Sequence, residues 1–266
     1  MSRAAVAVAL AAVLATSACA AAQPEVRLPP EHAVPDYQLG GAFDPAPGVT
    51  LVVRDREASP DPAHYSVCYI NAFQTQPGEA ADWPRDLLLR DDGEEVADPD
   101  WPDEVLLDTS SAQKRSRITE RVASWIRGCA DAGFAAVEFD NLDSFTRSHD
   151  LLTIEDNLAL ASEIAATAHD AGLAVGQKNA AETTARAKQE AGFDFAVAEE
   201  CAAFEECDAY SDVYGARVID IEYTDQLPRP FAELCAENGD PAWMILRDRD
   251  LAPAGDPAHT FARCTS

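Results

Sequence analysis

Basic residues are scarce in this chain. Lys and Arg total 20 against 47 Asp and Glu, a formal net charge of −27. A nucleic-acid partner needs a basic face to neutralise its phosphates, so the sequence excludes one. Histidines are few and scattered, and no cysteine pair has zinc-ligand spacing, so neither a metal site nor a cofactor is read from it. Glu138, Asp140 and Asp143 have loosely calcium-loop spacing, but the glycine such a loop needs is missing. No Gly-rich phosphate fingerprint follows the first strand-like run, which argues against a dinucleotide-binding fold. Beyond the first residues, no apolar run is long enough to cross a bilayer, so no transmembrane segment is expected.

The apolar run that is present stands at the start. Arg3 precedes a short apolar stretch from Ala4 to Ala15, and small residues follow around Ala18, Cys19 and Ala20, so residues 1–22 read as a signal peptide and the protein as secreted. Lipidation of Cys19, giving a cell-surface lipoprotein, is the alternative fate of this segment. Residues 23–35 are Pro-rich and read as an N-terminal linker, with residues 36–266 as one domain. Export leaves Cys68, Cys129, Cys201, Cys207, Cys235 and Cys264, an even set in an oxidising compartment, so disulfides are expected. Six cysteines allow 15 connectivities. Sequence proximity favours Cys201–Cys207 and then Cys235–Cys264, which leaves Cys68–Cys129.

Within the domain, strand and helix patterns alternate. Strand starts fall near Tyr37, Thr50, Val67, Ala135, Leu173, Phe193, Arg217 and Trp243. An apolar stripe of Ile118, Val122, Trp125, Ile126 and Cys129 marks a helix that Gly133 ends, and a second helix runs from Ile154 to Asp170. A third is expected near Glu182 to Glu190. Eight strands alternating with helices predict a (β/α)₈ TIM barrel, an α/β single domain with a long loop after the third strand. That loop, from Gln74 to Ser111, is polar and holds Trp83 and Trp101. A loop of this length in a compact domain is functional or carries structure of its own.

The informative feature is how the strands end. Ala135-Ala136-Val137-Glu138-Phe139-Asp140-Asn141-Leu142-Asp143 is a buried-strand run finishing in acids. Phe195 to Ala198 runs into Glu199 and Glu200, and Val218-Ile219-Asp220-Ile221-Glu222-Tyr223 repeats the shape. Ionised carboxylates at strand ends cost desolvation unless they face water, cations or substrate. In a barrel these ends form the active-site face. Glycoside hydrolysis needs two carboxyls flanking one bond. Asp140 and Glu199 end the fourth and sixth strands and face one another in that geometry, with Asp140 and Glu222 as the rival pair. Glu138 points the same way as Asp140 at period two and raises its proton affinity, or pairs with Lys178.

These segments resemble glycoside hydrolase family 114, the endo-α-1,4-polygalactosaminidases. The matches are Val137-Glu138-Phe139-Asp140-Asn141 with Asp143, Val175-Gly176-Gln177-Lys178-Asn179, Phe193 to Cys201 with Glu206-Cys207, Cys68-Tyr69-Ile70-Asn71-Ala72, Tyr37-Gln38-Leu39 and Val218 to Tyr223, in family order. The resemblance implies a secreted, endo-acting, retaining glycoside hydrolase for α-1,4-linked galactosamine-containing polysaccharide. It implies Asp140 as nucleophile and Glu199 as acid/base. Substrate contacts are expected from Gln38, Tyr69, Asp108, Glu138, Asn141, Asp143, Lys178, Asn179, Glu222 and Tyr223. Deacetylated galactosamine is cationic, and an acidic cleft attracts such a polymer. The sequence departs from the family at the opening aromatic pair, at Phe73-Gln74-Thr75-Gln76, at Glu104-Val105-Leu106-Leu107-Asp108 and at Ala198. An inactive carbohydrate-binding barrel lipoprotein is the alternative.

Overall fold

The computed structural model describes residues 25–239, 241 and 243–264. The signal-peptide and Cys19 expectations lie outside them. Eight parallel strands form the frame: β1 (Pro35–Gln38), β2 (Leu51–Asp55), β3 (Tyr65–Asn71), β4 (Ala136–Asp140), β5 (Ala174–Lys178), β6 (Phe195–Glu199), β7 (Val218–Tyr223) and β8 (Met244–Arg247). They hydrogen-bond in sequence order, and a ninth, β9 (Phe261–Arg263), adds antiparallel to β8. This is the expected TIM-barrel-type α/β fold. The ladder itself is open at one seam: β8 pairs with β7 and β9, not back to β1. The fully buried guanidinium of Arg247 spans that seam, reaching the Tyr37 carbonyl and Asp36 Oδ1. Strand-edge groups that lack a ladder partner must be satisfied some other way, and here one side chain supplies donors.

Period-two alternation sorts the strand residues between two cores. Tyr37, Val53, Val67, Ala136, Ala174, Phe195, Val197, Ile219, Ile221 and Ile245 fill the barrel interior. Cys68, Ile70, Val137, Phe139, Val175, Ala196, Ala198 and Val218 face outward to the helices. Gly176 is required inside: a Cβ there would meet the Phe195 ring at 2.6 Å.

Helix α1 (Ala112–Ala132) starts on the Ser111 cap and ends at Gly133 in a left-handed turn of φ 101°. Helix α2 (Ile154–Asp170) starts on a capping box of Thr153 and Asp156. Both stripes read from the sequence are buried except Trp125, which is half-buried, and side-chain oxygens take up the first free amides as such caps should. The third expected helix is broken into Ala181–Thr183, Thr184–Arg186 and a π turn Ala187–Ala191. Gln177 Nε2 donates to the carbonyls of Asn179 and Ala180 and to Thr184 Oγ1, diverting groups a regular helix start would use. Two short helices, α3 (Cys207–Tyr214) and α4 (Phe231–Glu237), were not legible as stripes. The first two strand connections are loops without helices.

Residues 25–34 do not behave as a free linker. His32 N donates to Ala216 O, Arg217 Nε donates to Pro29 O, the Tyr65 hydroxyl donates to Arg27 O, and Val26 packs on the interior core. A Pro-rich segment has little chain entropy to lose, so a few such contacts hold it to the barrel. The long loop after β3 has structure of its own, including a hairpin of Arg90–Asp91 with Glu94–Glu95. Bridges from Gln74 to Leu106 and from Ala97 to Val105 lay it along the strand ends.

Candidate active site

A cleft of about 470 Å³ opens at the C-terminal ends of the strands, where a barrel places its chemistry. Asp140, Lys178, Glu199, Tyr69 and Tyr223 converge on it from five strands. Each is the last or near-last inward residue of its strand. Strands β4 and β5 end alike, in Asp140-Asn141 and Lys178-Asn179, and both asparagines take left-handed conformations, φ 68° and 48°. Asparagine tolerates that region better than most residues, so the chain turns away and leaves the preceding side chain at the rim.

Lys178 is the hub. It is almost fully buried, and its ammonium lies 3.5 Å from Asp140 Oδ2, 3.3 Å from Glu199 Oε2 and 3.6 Å from Glu138 Oε1. It also donates to the Tyr37 hydroxyl at 3.1 Å. Burial alone would push its proton off, but the three carboxyls outweigh that and hold it charged. Because one ammonium touches both, the Asp140 and Glu199 oxygens can be no further apart than the sum of those two distances. That places both carboxyls in one cleft.

Asp140 is fixed by the Tyr69 hydroxyl, which donates to Oδ2 at 2.6 Å, and by the Asn141 amide, which donates to Oδ1 at 2.7 Å. Glu199 accepts from the Tyr223 hydroxyl at 2.5 Å on Oε1 and from Asn179 Nδ2 at 3.0 Å on Oε2. The Asn179 side-chain oxygen, Oδ1, in turn accepts the Glu199 backbone amide at 2.8 Å. Burial pushes the Glu199 carboxyl up, but Lys178, Tyr223 and Asn179 more than offset it and hold it below its usual range. Glu138 lies one layer deeper with no solvent exposure. Burial, reinforced by Asp140 and opposed by Lys178 and the Tyr37 hydrogen bond, lifts it to about 8. Its Oε2 has no partner, which a neutral carboxyl tolerates better than a charged one.

Besides the buried Glu138, four residues expected to touch substrate lie elsewhere. Gln38 points outward from β1, where it bonds Asp36, the Phe43 amide and Arg54. Asp108 sits before α1 and holds Ser110 and Lys114. Asp143 turns to Arg147 at 2.9 Å. Glu222 alternates away from Tyr223 and is buried outside the barrel, where its Oε1 accepts the amides of Ala202 and Ala203 at 2.9 and 3.2 Å. It hydrogen-bonds to Asp220, which accepts the Cys201 amide. Burial raises both acids, and the neighbouring charge raises Asp220 further, so the pair holds a proton. The rival pairing of Asp140 with Glu222 is therefore overturned: a strand of period two cannot present Glu222 and Tyr223 to the same cleft.

Other cleft residues escaped the sequence reading. Arg249 grips Glu200 at 2.9 and 3.2 Å and lies 4.1 Å above the Tyr223 ring. Its signal was a cation just past the last barrel strand. Trp101 and Glu104 come from the long loop, and Asp55, Gln76 and Asp250 complete the rim. Gly40 lets the first loop approach the last: a Cβ there would meet the Leu251 carbonyl at 2.5 Å.

The disulfides are Cys68–Cys129, Cys201–Cys207 and Cys235–Cys264, the set that proximity favoured. Among the described residues, one group of possible metal ligands is close enough to hold an ion: Cys201, Cys207 and Asp220. Its two sulfurs are bonded to each other, so it is a disulfide beside an acid. No helix among the described residues is long and apolar enough to cross a membrane.

The structure of Aspergillus fumigatus Ega3 in complex with galactosamine superposes with a TM-score of 0.69 at 20% identity, covering 91% of this chain and 97% of that one. The glycoside hydrolase domain of PelA from Pseudomonas aeruginosa superposes with a TM-score of 0.53 at 14% identity, covering 84% and 97%. At such identities the likeness is one of fold. No curated protein matches the chain. The model of glycoside-hydrolase family GH114 matches residues 15–266, nearly the whole sequence. With two carboxyls gathered on one lysine at the mouth of a barrel, this chain belongs to glycoside-hydrolase family GH114 and is a glycoside hydrolase.

Proposed function

We propose that the protein is a secreted, endo-acting hydrolase of α-1,4-linked galactosamine-containing polysaccharide, working through Asp140 and Glu199 with retention of configuration. The observation that carries this reading is the shared contact of Lys178 with Asp140 and Glu199. Retaining enzymes separate their carboxyls by about 5–5.5 Å and inverting enzymes by about 6.5–9.5 Å. The limit set by the lysine admits the shorter range and leaves out most of the longer one. Asp140 attacks the anomeric carbon, and Glu199 protonates the leaving oxygen and then activates water. Glu138 stays neutral beneath them, and Lys178 balances the charge they carry.

The substrate class rests on charge. Asp55, Glu104, Asp140, Glu199 and Asp250 line the cleft against Lys178 and Arg249. A cleft so biased attracts a cationic amino-sugar polymer. Export fits the three disulfides, which form in oxidising compartments.

One observation favours an exchange of roles: Glu199 is held ionised in the free cleft, as a nucleophile should be, whereas a general acid needs the opposite. The primary test is product release from partially deacetylated galactosaminogalactan by wild type, Asp140→Asn and Glu199→Gln. Wild type should release oligosaccharides, and each variant should lose about a thousandfold. Undiminished release by either variant removes that residue from catalysis. No turnover of any galactosamine polymer by wild type refutes the substrate class.

A further inference from the structure

The loop after β3 brings a third carboxyl and an indole to the cleft beside Asp140. Trp101 is 56% exposed and lines the cleft, so a large apolar face is open to whatever enters. Glu104 lines the same cleft but is half-buried. Its Oε2 accepts from Asn71 Nδ2 at 2.9 Å and Gln74 Nε2 at 3.1 Å. Among the described residues no hydrogen bond reaches its Oε1, which leaves that oxygen for the cleft.

Both residues are held firmly. The Asp98 carboxylate accepts the amides of Asp100 and Trp101 and is itself clamped by Arg147 at 2.6 Å. The Glu104 amide donates to the Trp101 carbonyl, and the Asp98 amide donates to the Glu104 carbonyl. Val105 and Thr75 exchange two further bonds that tie the loop to the end of β3. Asn71 also accepts from Asn141 Nδ2 at 2.9 Å, and the Asn141 amide bonds Asp140. A continuous hydrogen-bonded path therefore fixes Glu104 relative to the catalytic aspartate.

We propose that Trp101 and Glu104 form a sugar subsite next to the scissile bond, in which the indole covers the apolar face of a ring and the free oxygen of Glu104 receives the 2-ammonium of an amino sugar. This rests on the amino-sugar reading and deepens it, because it names the residue that tells a free amine from an N-acetyl group.

The electrostatics fit. Asp140 and Glu199 share the Lys178 ammonium, but the groups facing Glu104 are the amides of Asn71 and Gln74 and the acids Asp98 and Asp140, with Arg147 already engaged by Asp98 and Asp143. Burial, opposed by those amides and reinforced by Asp140 and Asp98, pushes the Glu104 carboxyl up to about 7. A carboxyl so raised lacks a compensating cation. An ammonium is that cation, and an N-acetyl group is not.

The test is titration calorimetry, with steady-state kinetics in parallel, on wild type, Glu104→Gln and Trp101→Ala. The probes are galactosamine oligomers with free amines and their fully N-acetylated counterparts. Wild type should prefer the free amine, and Glu104→Gln should lose about tenfold in affinity for it, erasing the preference. Its loss should appear in KM, with kcat changed much less. Trp101→Ala should weaken both ligands alike. A Glu104→Gln enzyme that keeps the free-amine preference, or loses kcat equally on both substrates, overturns the subsite and leaves the amino-sugar reading standing. Failure of wild type to bind or cleave either oligomer overturns that reading and the subsite with it.

Discussion

The Tyr223 hydroxyl donates to Oε1 of Glu199 at 2.5 Å, and the Arg249 guanidinium lies over the same tyrosine ring. A phenol bonded to a carboxylate stabilises its charged form, so this contact is one reason Glu199 sits below its usual range. Removing it in Tyr223→Phe should raise the Glu199 pKa. Whichever limb of the pH–kcat/KM profile reports Glu199 should then move to higher pH, with about a tenfold loss at the optimum. A profile that scales down without shifting would mean Tyr223 holds substrate and not Glu199.

Glu138 gives a stability prediction. An ordinary glutamic acid titrates near 4.5, and burial lifts this one to about 8. Between those values the folded protein keeps a proton that the unfolded chain releases, so stability falls as pH rises from about 4.5 to about 8. Glu104 and Asp220, also raised, act in the same direction. Comparison with Glu138→Gln isolates the one residue: the Tm of wild type should drop more between pH 5 and pH 8 than that of the variant. Parallel curves would show that Glu138 does not take up a proton on folding.

The eight strands and the two capped helices were legible because apolar runs and stripes report burial directly. Asp140, Lys178 and Glu199 were legible because a charge ending a buried strand needs a reason. Glu222 misled because proximity in sequence was read as proximity in space: next to Tyr223 in the chain, it lies on the opposite side of the strand, bonded to the amides of Ala202 and Ala203. Asp108 and Gln38 misled in the same way, as polar residues whose partners, Lys114 and Arg54, cannot be read from spacing. Trp101, Glu104 and Arg249 were missed because they reach the cleft from loops, where no periodicity says which way a side chain turns.

The disulfides should differ in what they contribute. Cys68–Cys129 joins β3 to α1 across 61 residues, whereas Cys201–Cys207 closes a separation of 6. Loop-closure entropy predicts roughly 4 kcal/mol for the long crosslink and roughly 2 kcal/mol for the short one. Urea unfolding of the paired alanine variants measures this directly. The short crosslink should matter more for activity, since its loop follows Glu199 and is anchored by Asp220 and Glu222. Loss of activity from the 68–129 variant at a pH and temperature where it stays folded would contradict that division.

The roles proposed for Asp140 and Glu199 are separable by which face an external nucleophile attacks. In a retaining α-glycosidase the enzyme's carboxylate forms a β-linked glycosyl intermediate. If Asp140 is that carboxylate, Asp140→Gly leaves the β face empty, and azide entering there turns an activated α-glycoside into the β-glycosyl azide. Glu199→Ala would still form the intermediate from an activated substrate, and azide would displace it from the other side to give the α-glycosyl azide. The opposite pattern assigns the nucleophile to Glu199, the arrangement its depressed pKa favours. Lys178 touches both oxygens, so the geometry allows either order. Glu138 lies beneath Asp140 on β4 at period two, and its neutral carboxyl leaves the Lys178 charge to the two rim carboxyls. Glu138→Gln should then keep the azide outcome of each variant unchanged, because an amide preserves that neutrality. A reversed anomer in the Glu138→Gln background would show that Glu138 decides which carboxyl attacks.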